Sequence, residues 1–340
     1  MRQDQHVSRW RGRVSAPACR AVVMAAIVAV AGVVADVALA QSNYPNRPIR
    51  VVVGFTAGGP ADITTRVIGA KLSTILGQQV VIENRAGAGG MIATEFVSRA
   101  EPDGYTLLMT PIVNAINEIV SKNLRYKFGE HLVAVAPLAE TANVLVVHPS
   151  LGVKSVAELV ALAKTKPGDL LYATGGRGTI THLTSEMFNI SGGVKLMPVH
   201  YRGGGELVKD LVAGEVKIMF ASIAPVQGFV KDGRLLALAT TGPKRDAAFP
   251  QVPTMIESGF AGFDTRWWSG LLAPAGTPRA VIERLSAATA EAVNLPEIKA
   301  ALAAQGFQPL SGNSEQFGAF YRSEVEKYRT VIQASGITIE

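Results

Sequence analysis

The chain has 340 residues, of which 48% are apolar and 18% charged, a composition able to fill a large core without disulfide staples. Its net charge is +6, and about +3 (28 basic and 25 acidic residues) once the first forty residues are set aside, too mild and dispersed for a nucleic-acid footprint. The single cysteine, Cys19, precedes an apolar run, which excludes a lipoprotein and leaves no disulfide, thiol nucleophile or thiolate metal site beyond it.

Arg2, Arg9, Arg11, Arg13 and Arg20 lead into an apolar run over 21–40 that is interrupted only by Asp36 and closes on Ala38-Leu39-Ala40. This is the pattern of a secretory signal peptide over 1–40, with cleavage expected after Ala40 and export to the periplasm. An uncleaved membrane anchor is the competing reading, since the run is almost long enough to span.

From there the pattern alternates. A β-branched run over 49–55 predicts a strand, and 60–76 a helix with Pro60 in its first turn and Gly77 at its end. Strands at 80–83 and 105–110 flank a helix at 91–99, which ends at the Pro102-Asp103-Gly104 turn. Further strands are expected at 143–148, 170–174, 196–200, 216–220 and 235–240. Helices are expected between them at 156–164, entered through Ser155, at 180–189 and at 206–213. The end reads as helical over 279–294, 297–305 and 314–334. Strands alternating with helices predict an α/β fold with mostly parallel sheets covered on both faces. The tracts around 134–143 and 241–264 are candidate crossings between domains, and two crossings would make one lobe discontinuous.

Three segments repeat strand, glycine-rich loop, helix. They are Gly54-Phe55-Thr56-Ala57-Gly58-Gly59-Pro60-Ala61-Asp62, Ala173-Thr174-Gly175-Gly176-Arg177-Gly178-Thr179 and Tyr201-Arg202-Gly203-Gly204-Gly205. Each loop lies at the carboxyl end of a strand and just before a helix N-terminus, where main-chain amides lack intrahelical partners and carry partial positive charge. Glycine admits a ligand close to those amides. Tight turns would use the same glycines, but three such loops together favour an anion site. No dinucleotide fingerprint, P-loop or nucleophile elbow is present, so a carboxylate is the simplest remaining anion. No cofactor and no metal are expected.

The side chains around these loops leave alternatives open. Asp62 is either a contact for a ligand's amine or hydroxyl or a capping acid. His182 faces a ligand or bonds nearby backbone. Arg177 grips a carboxylate bidentately or is a solvated surface residue. Trp267 and Trp268 line a cleft or pack in the core, with the core favoured for one of them.

These motifs resemble the tripartite tricarboxylate transporter substrate-binding family, the Bug receptors. The matching pieces run through the chain in order: GFTAGGPAD at 54–62, VVIENRAGAGG at 80–90, PDGYTLL at 102–108, VLVVHPS at 144–150, YATGGRGTITHL at 172–183, YRGGGE at 201–206 and GLLAPAGTP at 270–278. The resemblance implies a two-lobe, type II-like periplasmic binding protein fold that closes like a hinge. Lobe 1 would take 41–142 and 265–340, and lobe 2 would take 143–264. It implies a small carboxylate ligand (a di- or tricarboxylate, an acidic amino acid or an aromatic acid) held by Phe55, Thr56, Ala57, Gly58, Gly59 and Asp62 of the first loop. Thr174, Gly175, Gly176, Arg177, Gly178, Thr179 and His182 would contribute from the second, with Tyr201.

Some positions depart from the family pattern. Thr56 stands where proline or alanine is common, Arg177 replaces a small or neutral residue, Glu206 and Leu207 replace a common Pro-Ala pair, and Ala221 stands where an aspartate is frequent. The lost acid at Ala221 would weaken any preference for a ligand amine, and Arg177 would favour a second carboxylate. The implied partners are the membrane permease subunits of such a transporter or a sensor kinase, with the receptor itself a monomer. The rival function is a periplasmic hydrolase using Asp62 or His182, disfavoured because no nucleophile–base pair is visible.

Overall fold

The computed structural model describes residues 44–121, 124–201 and 204–336. The signal-peptide reading, and Arg202 and Gly203 of the third glycine loop, lie outside the described residues. Residues 44–46, with a cis Tyr44-Pro45 peptide bond, are the described part of a first unit that ends at Asn46; the chain from Arg47 onward forms the second unit.

One strand organises that second unit. β4 (Leu132–Val147) is 16 residues long and pairs with different neighbours along its two halves. Its first half, Leu132 to Ala142, runs antiparallel to β9 (Arg266–Pro274). Beyond β9 lie β3 (Thr106–Pro111), β1 (Ile49–Val53) and β2 (Val80–Asn84), with β1 parallel to both β2 and β3. β10 (Gln308–Pro309) joins β4 on its other side. The second half of β4, Asn143 to Val147, pairs antiparallel with β7 (Ile218–Ser222) and β8 (Leu236–Thr240), and the parallel strands β5 (Leu171–Thr174) and β6 (Met197–His200) follow.

The sheet is therefore mixed. Its outer strands are parallel because helices return the chain to the same edge, whereas β4 and β9 run antiparallel to their neighbours because they carry the chain between the two strand groups. Three segments meet where β4 changes partners. Thr241 accepts the Asn143 amide on its hydroxyl at 2.9 Å and donates that hydroxyl to the Thr265 carbonyl. Its own amide donates to the Asn143 carbonyl at 2.9 Å.

The helices follow the expected punctuation. α1 (Pro60–Leu76) starts at Pro60 and stops at Gly77 in a left-handed conformation. α2 (Met91–Ser98) and α3 (Ile112–Val120) cover the first strand group. α4 (Val156–Thr165) is capped by Ser155, whose hydroxyl accepts the Glu158 amide. α5 (Ile180–Gly192), α6 (Gly204–Ala213) and α7 (Ile223–Lys231) surround the second group. α8 (Arg279–Asn294), α9 (Pro296–Ala304) and α10 (Ser314–Ser335) close the chain, and α10 begins with a capping box between Asn313 and Gln316.

Both faces of the second strand group are buried. Leu145 and Val147 pack with Tyr172, Phe188 and Phe220, while the intervening Val144 and Val146 pack with Leu207 and Leu211 on the opposite face, the period-two alternation of a strand covered on both sides. The first group buries Val52, Leu108 and Leu272 under α10, whose Phe317, Tyr321 and Tyr328 surround Trp268. Leu183 of α5 joins the same cluster, so α10 packs against the second group as well as the first. Among the described residues no helix is long and apolar enough to cross a membrane.

Candidate functional site

The first glycine loop leaves β1 at its carboxyl end and enters α1. Gly58 turns with φ +79°, a conformation that side chains on L-residues rarely adopt. That turn lets the Gly58 amide donate to Asp62 Oδ2 at 2.9 Å. Asp62 also accepts from Arg66 Nε and from Asn84 Nδ2, each at 2.9 Å to Oδ1, and Asn84 Nδ2 reaches the Phe55 carbonyl at 3.0 Å. Burial alone would raise the Asp62 pKa, but the bonds from Arg66, the Gly58 amide and Asn84 hold it below the ordinary aspartate value. Asp62 thus braces the loop from behind.

The second loop leaves β5 and enters α5 in the same way. Thr179 caps α5: its hydroxyl accepts the His182 amide at 3.4 Å and donates to the Gly176 carbonyl at 2.7 Å. His182 is buried and accepts the Gly178 amide on Nδ1 at 3.1 Å, which fixes the neutral tautomer with its proton on Nε2. Burial, with the nearby His200 and Arg177, lowers its pKa to about 4.

A third helix start joins these two. α3 begins at Ile112 directly after β3, with Pro111 as its extended N-cap residue. The three N-termini converge on a cavity of about 330 Å³. Phe55, Thr56, Gly59, Pro60 and Ala61 line it from the first loop and α1. Pro111, Ile112, Val113 and Ile116 line it from α3, Thr179 and Ile180 from α5, and Trp267 from β9. None of these lining residues carries a charged side chain. Among the described residues, the amides of Ala61 and Asp62 and those of Ile180 and Thr181 have no main-chain or side-chain acceptor, as the first turn of a helix requires. The positive ends of three helices therefore face one small volume walled by apolar side chains.

Of the residues expected from sequence to touch a ligand, the cavity wall contains Phe55, Thr56, Gly59 and Thr179. Ala57, Gly58, Thr174, Gly175, Gly176 and Gly178 shape the two loops without lining it. Thr174 is buried and bonds to Thr179 and Thr181 through its hydroxyl, and the Gly175 amide reaches Thr181 Oγ1 at 3.3 Å. Asp62 and His182 accept loop amides, from Gly58 and Gly178 respectively, as their capping and backbone-bonding alternatives expect, and neither lines the cavity. Tyr201 donates its hydroxyl to Asp210 at 3.0 Å and packs against the second core, and its pKa is pushed up to about 12 by burial and Asp210.

Arg177 is exposed and borders a separate hollow of about 240 Å³ with His182, His200, Glu186 and the end of α10. The Thr179–Gly176 and His182–Gly178 bonds fold the loop down onto the first turn of α5 and leave Arg177 on its outer side. Arg177 therefore does not line the cavity. Ala221 is fully buried in β7 among Val144, Val226 and Leu235, away from the wall. Of the two tryptophans, Trp268 is the core residue, donating Nε1 to Glu324 at 2.8 Å, and Trp267 is the wall residue. The cavity residues of α3 had no motif to announce them; their signal was the mostly apolar stretch from Ile112 to Ile116, interrupted by Asn114 and continuous with a strand.

An α/β scaffold with helix N-termini focused on a small uncharged cavity defines the class of solute-binding receptors. The chain matches the family described as "Tripartite tricarboxylate transporter family receptor" (TctC) over residues 64–337. It is 34% identical to the protein BugT of Bordetella pertussis over 322 residues, covering 94% of this chain and 98% of BugT. Among solved structures it is similar to Rpa4515 of R. palustris with adipate, at 30% identity and a TM-score of 0.71 over 86% of this chain and 99% of that one. It is also similar to MatC (Rpa3494) from Rhodopseudomonas palustris with bound malate, at 29% identity and a TM-score of 0.66 over 85% of this chain and 100% of the other. The chain belongs to the tripartite tricarboxylate transporter receptor family. That is a family of binding proteins, and its members work by capture rather than by chemistry.

Proposed function

We propose that the chain is a periplasmic receptor that captures a small carboxylate in the cavity between the loops 54–59 and 174–179 and delivers it to the membrane permease of a tripartite tricarboxylate transporter. The observation that carries this reading is the meeting of three helix N-termini at a cavity with no charged side chain on its wall. There the main-chain amides of Ala61 and Ile180 are left to hold an anion. The volume sits at the lower end of the roughly 300–1,000 Å³ typical of small-molecule sites. The carboxylates bound by Rpa4515 and MatC support the ligand class. In this reading 41–142 and 265–340 form lobe 1 and 143–264 forms lobe 2, the leader is removed after Ala40, and the receptor acts as a monomer.

Two measurements test it. Calorimetry on the purified protein should give saturable binding for carboxylic acids such as adipate and none for the matching primary amides, because the helix termini select for negative charge. Equal binding of acid and amide would refute an anion site. Deleting the gene should reduce uptake of the bound acid by intact cells, and unchanged uptake would refute the delivery role.

A further inference from the structure

The geometry points to a narrower ligand class: an aliphatic or aromatic carboxylate whose body carries no amine. This inference rests on the carboxylate-receptor reading above and concerns the part of the ligand that the amides do not hold.

An ammonium group inside the cavity would need acceptors on the wall, because a buried charge without a partner is strongly disfavoured. The lining side chains provide no carboxylate and only two hydroxyls, those of Thr56 and Thr179. The Thr179 hydroxyl is already engaged, donating to the Gly176 carbonyl and accepting the His182 amide. The acid directly behind the wall is Asp62, and its oxygens are filled by Gly58, Arg66 and Asn84. The remaining surface, from Phe55, Pro111, Ile112, Val113, Ile116 and Trp267, rewards an apolar body. The amides thus select one end of the ligand and the wall selects against a cationic substituent on the rest, which separates plain acids from amino acids.

Matched pairs that differ by one amine test this by calorimetry: hexanoate against norleucine, and butanoate against 2-aminobutanoate. The plain acid of each pair should bind on the order of tenfold tighter or better, the size expected for leaving a ligand's polar group without a partner. Trp267→Ala should weaken hexanoate about tenfold, with Trp267→Phe restoring most of it. Val113→Asp, which places an acid on the wall near a helix start, should shift the hexanoate-to-norleucine ratio about tenfold towards norleucine. If norleucine matches hexanoate, or 2-aminobutanoate matches butanoate, while these acids still bind better than their amides, the class inference is wrong and the receptor reading stands. If none of the acids binds, the receptor reading fails and takes this inference with it.

Discussion

Asp62 and Gly58 are joined across the first turn of α1, the buried carboxylate accepting the loop amide at 2.9 Å. The bond turns an acid that faces away from the cavity into the support that sets its rim. Asp62→Ala should lose about 2–4 kcal/mol of stability in urea unfolding, because it strips the acceptor from a loop amide and leaves Arg66 and Asn84 without their shared partner. Asp62→Asn should lose about half as much, since an amide oxygen still serves Gly58. Both variants should bind adipate more weakly than the parent. A stability change within about 0.5 kcal/mol for Asp62→Ala would show the bond to be dispensable.

His182 ties stability to pH. Its folded-state pKa is lowered to about 4 from an ordinary 6.5, so between those values the unfolded chain binds the proton and the folded chain does not. Its contribution is complete above about pH 6.5 and is lost as pH falls towards about 4. Between pH 7.5 and pH 5 the loss should approach about 2 kcal/mol. His182→Asn retains an acceptor for the Gly178 amide and removes the titration. Denaturant unfolding at the two pH values should show a smaller drop for the variant, and identical drops would assign the pH dependence elsewhere.

Gly90 is buried between Phe55 of the cavity wall and Asn114 of α3. Its φ is +90°, and a Cβ there would lie 2.9 Å from Asn114 Oδ1 and 3.0 Å from Phe55 Cζ. Gly90→Ala should therefore cost about 1–3 kcal/mol by crowding and backbone strain. Because Phe55 is the side chain able to yield, the variant should also change ligand affinity while leaving the secondary structure intact. Thermal unfolding and calorimetry on the same sample read both effects, and a stability loss with parental affinity would mean that Phe55 holds its place.

Trp268 and Glu324 form a buried pair at 2.8 Å, and Glu324 also meets Lys327. Glu324→Ala leaves the indole N–H without an acceptor in an apolar surround, a loss of about 2–3 kcal/mol. Glu324→Gln keeps an acceptor and should lose less. Urea unfolding followed by tryptophan fluorescence reports on this pair directly, and equal losses for the two substitutions would show that charge rather than the hydrogen bond matters there.

Much of this architecture was legible from local chemistry. Pro60 and Gly77 bracketed α1, Ser155 capped α4, and the apolar runs of β1, β5 and β8 stood out because each ended in a turn signal. The elements left unread lacked such punctuation. α3 follows β3 directly, with Pro111 ending the strand. β9 opens Arg266-Trp267-Trp268 and contains Gly270, which a Phe317 ring covers. α7 carries Pro225 and Gly228 inside its span. The first half of β4 contains Pro137 and two register shifts, which break the alternation a strand normally displays, so a strand reads as a boundary. The loops of the site were visible for the same reason that α1 was, since glycines before a helix start mark backbone position. The directions of Arg177, Asp62 and His182 were not visible, because each is set by a hydrogen bond closing four residues or fewer along the chain, and a single sequence does not distinguish an inward side chain from an outward one at such a turn.

Because β4 runs unbroken past Asn143, the passage between the two halves is made of peptide already committed to neighbours on either side, and Thr241 fastens it to Thr265 at the same level. A swivel of one half against the other has to be absorbed as torsion in those few residues. A joint of this kind prescribes the axis of motion more firmly than its extent. In the proposed receptor the rim of the cavity would travel a single arc on closure, and an oversized guest would register as an arc left incomplete.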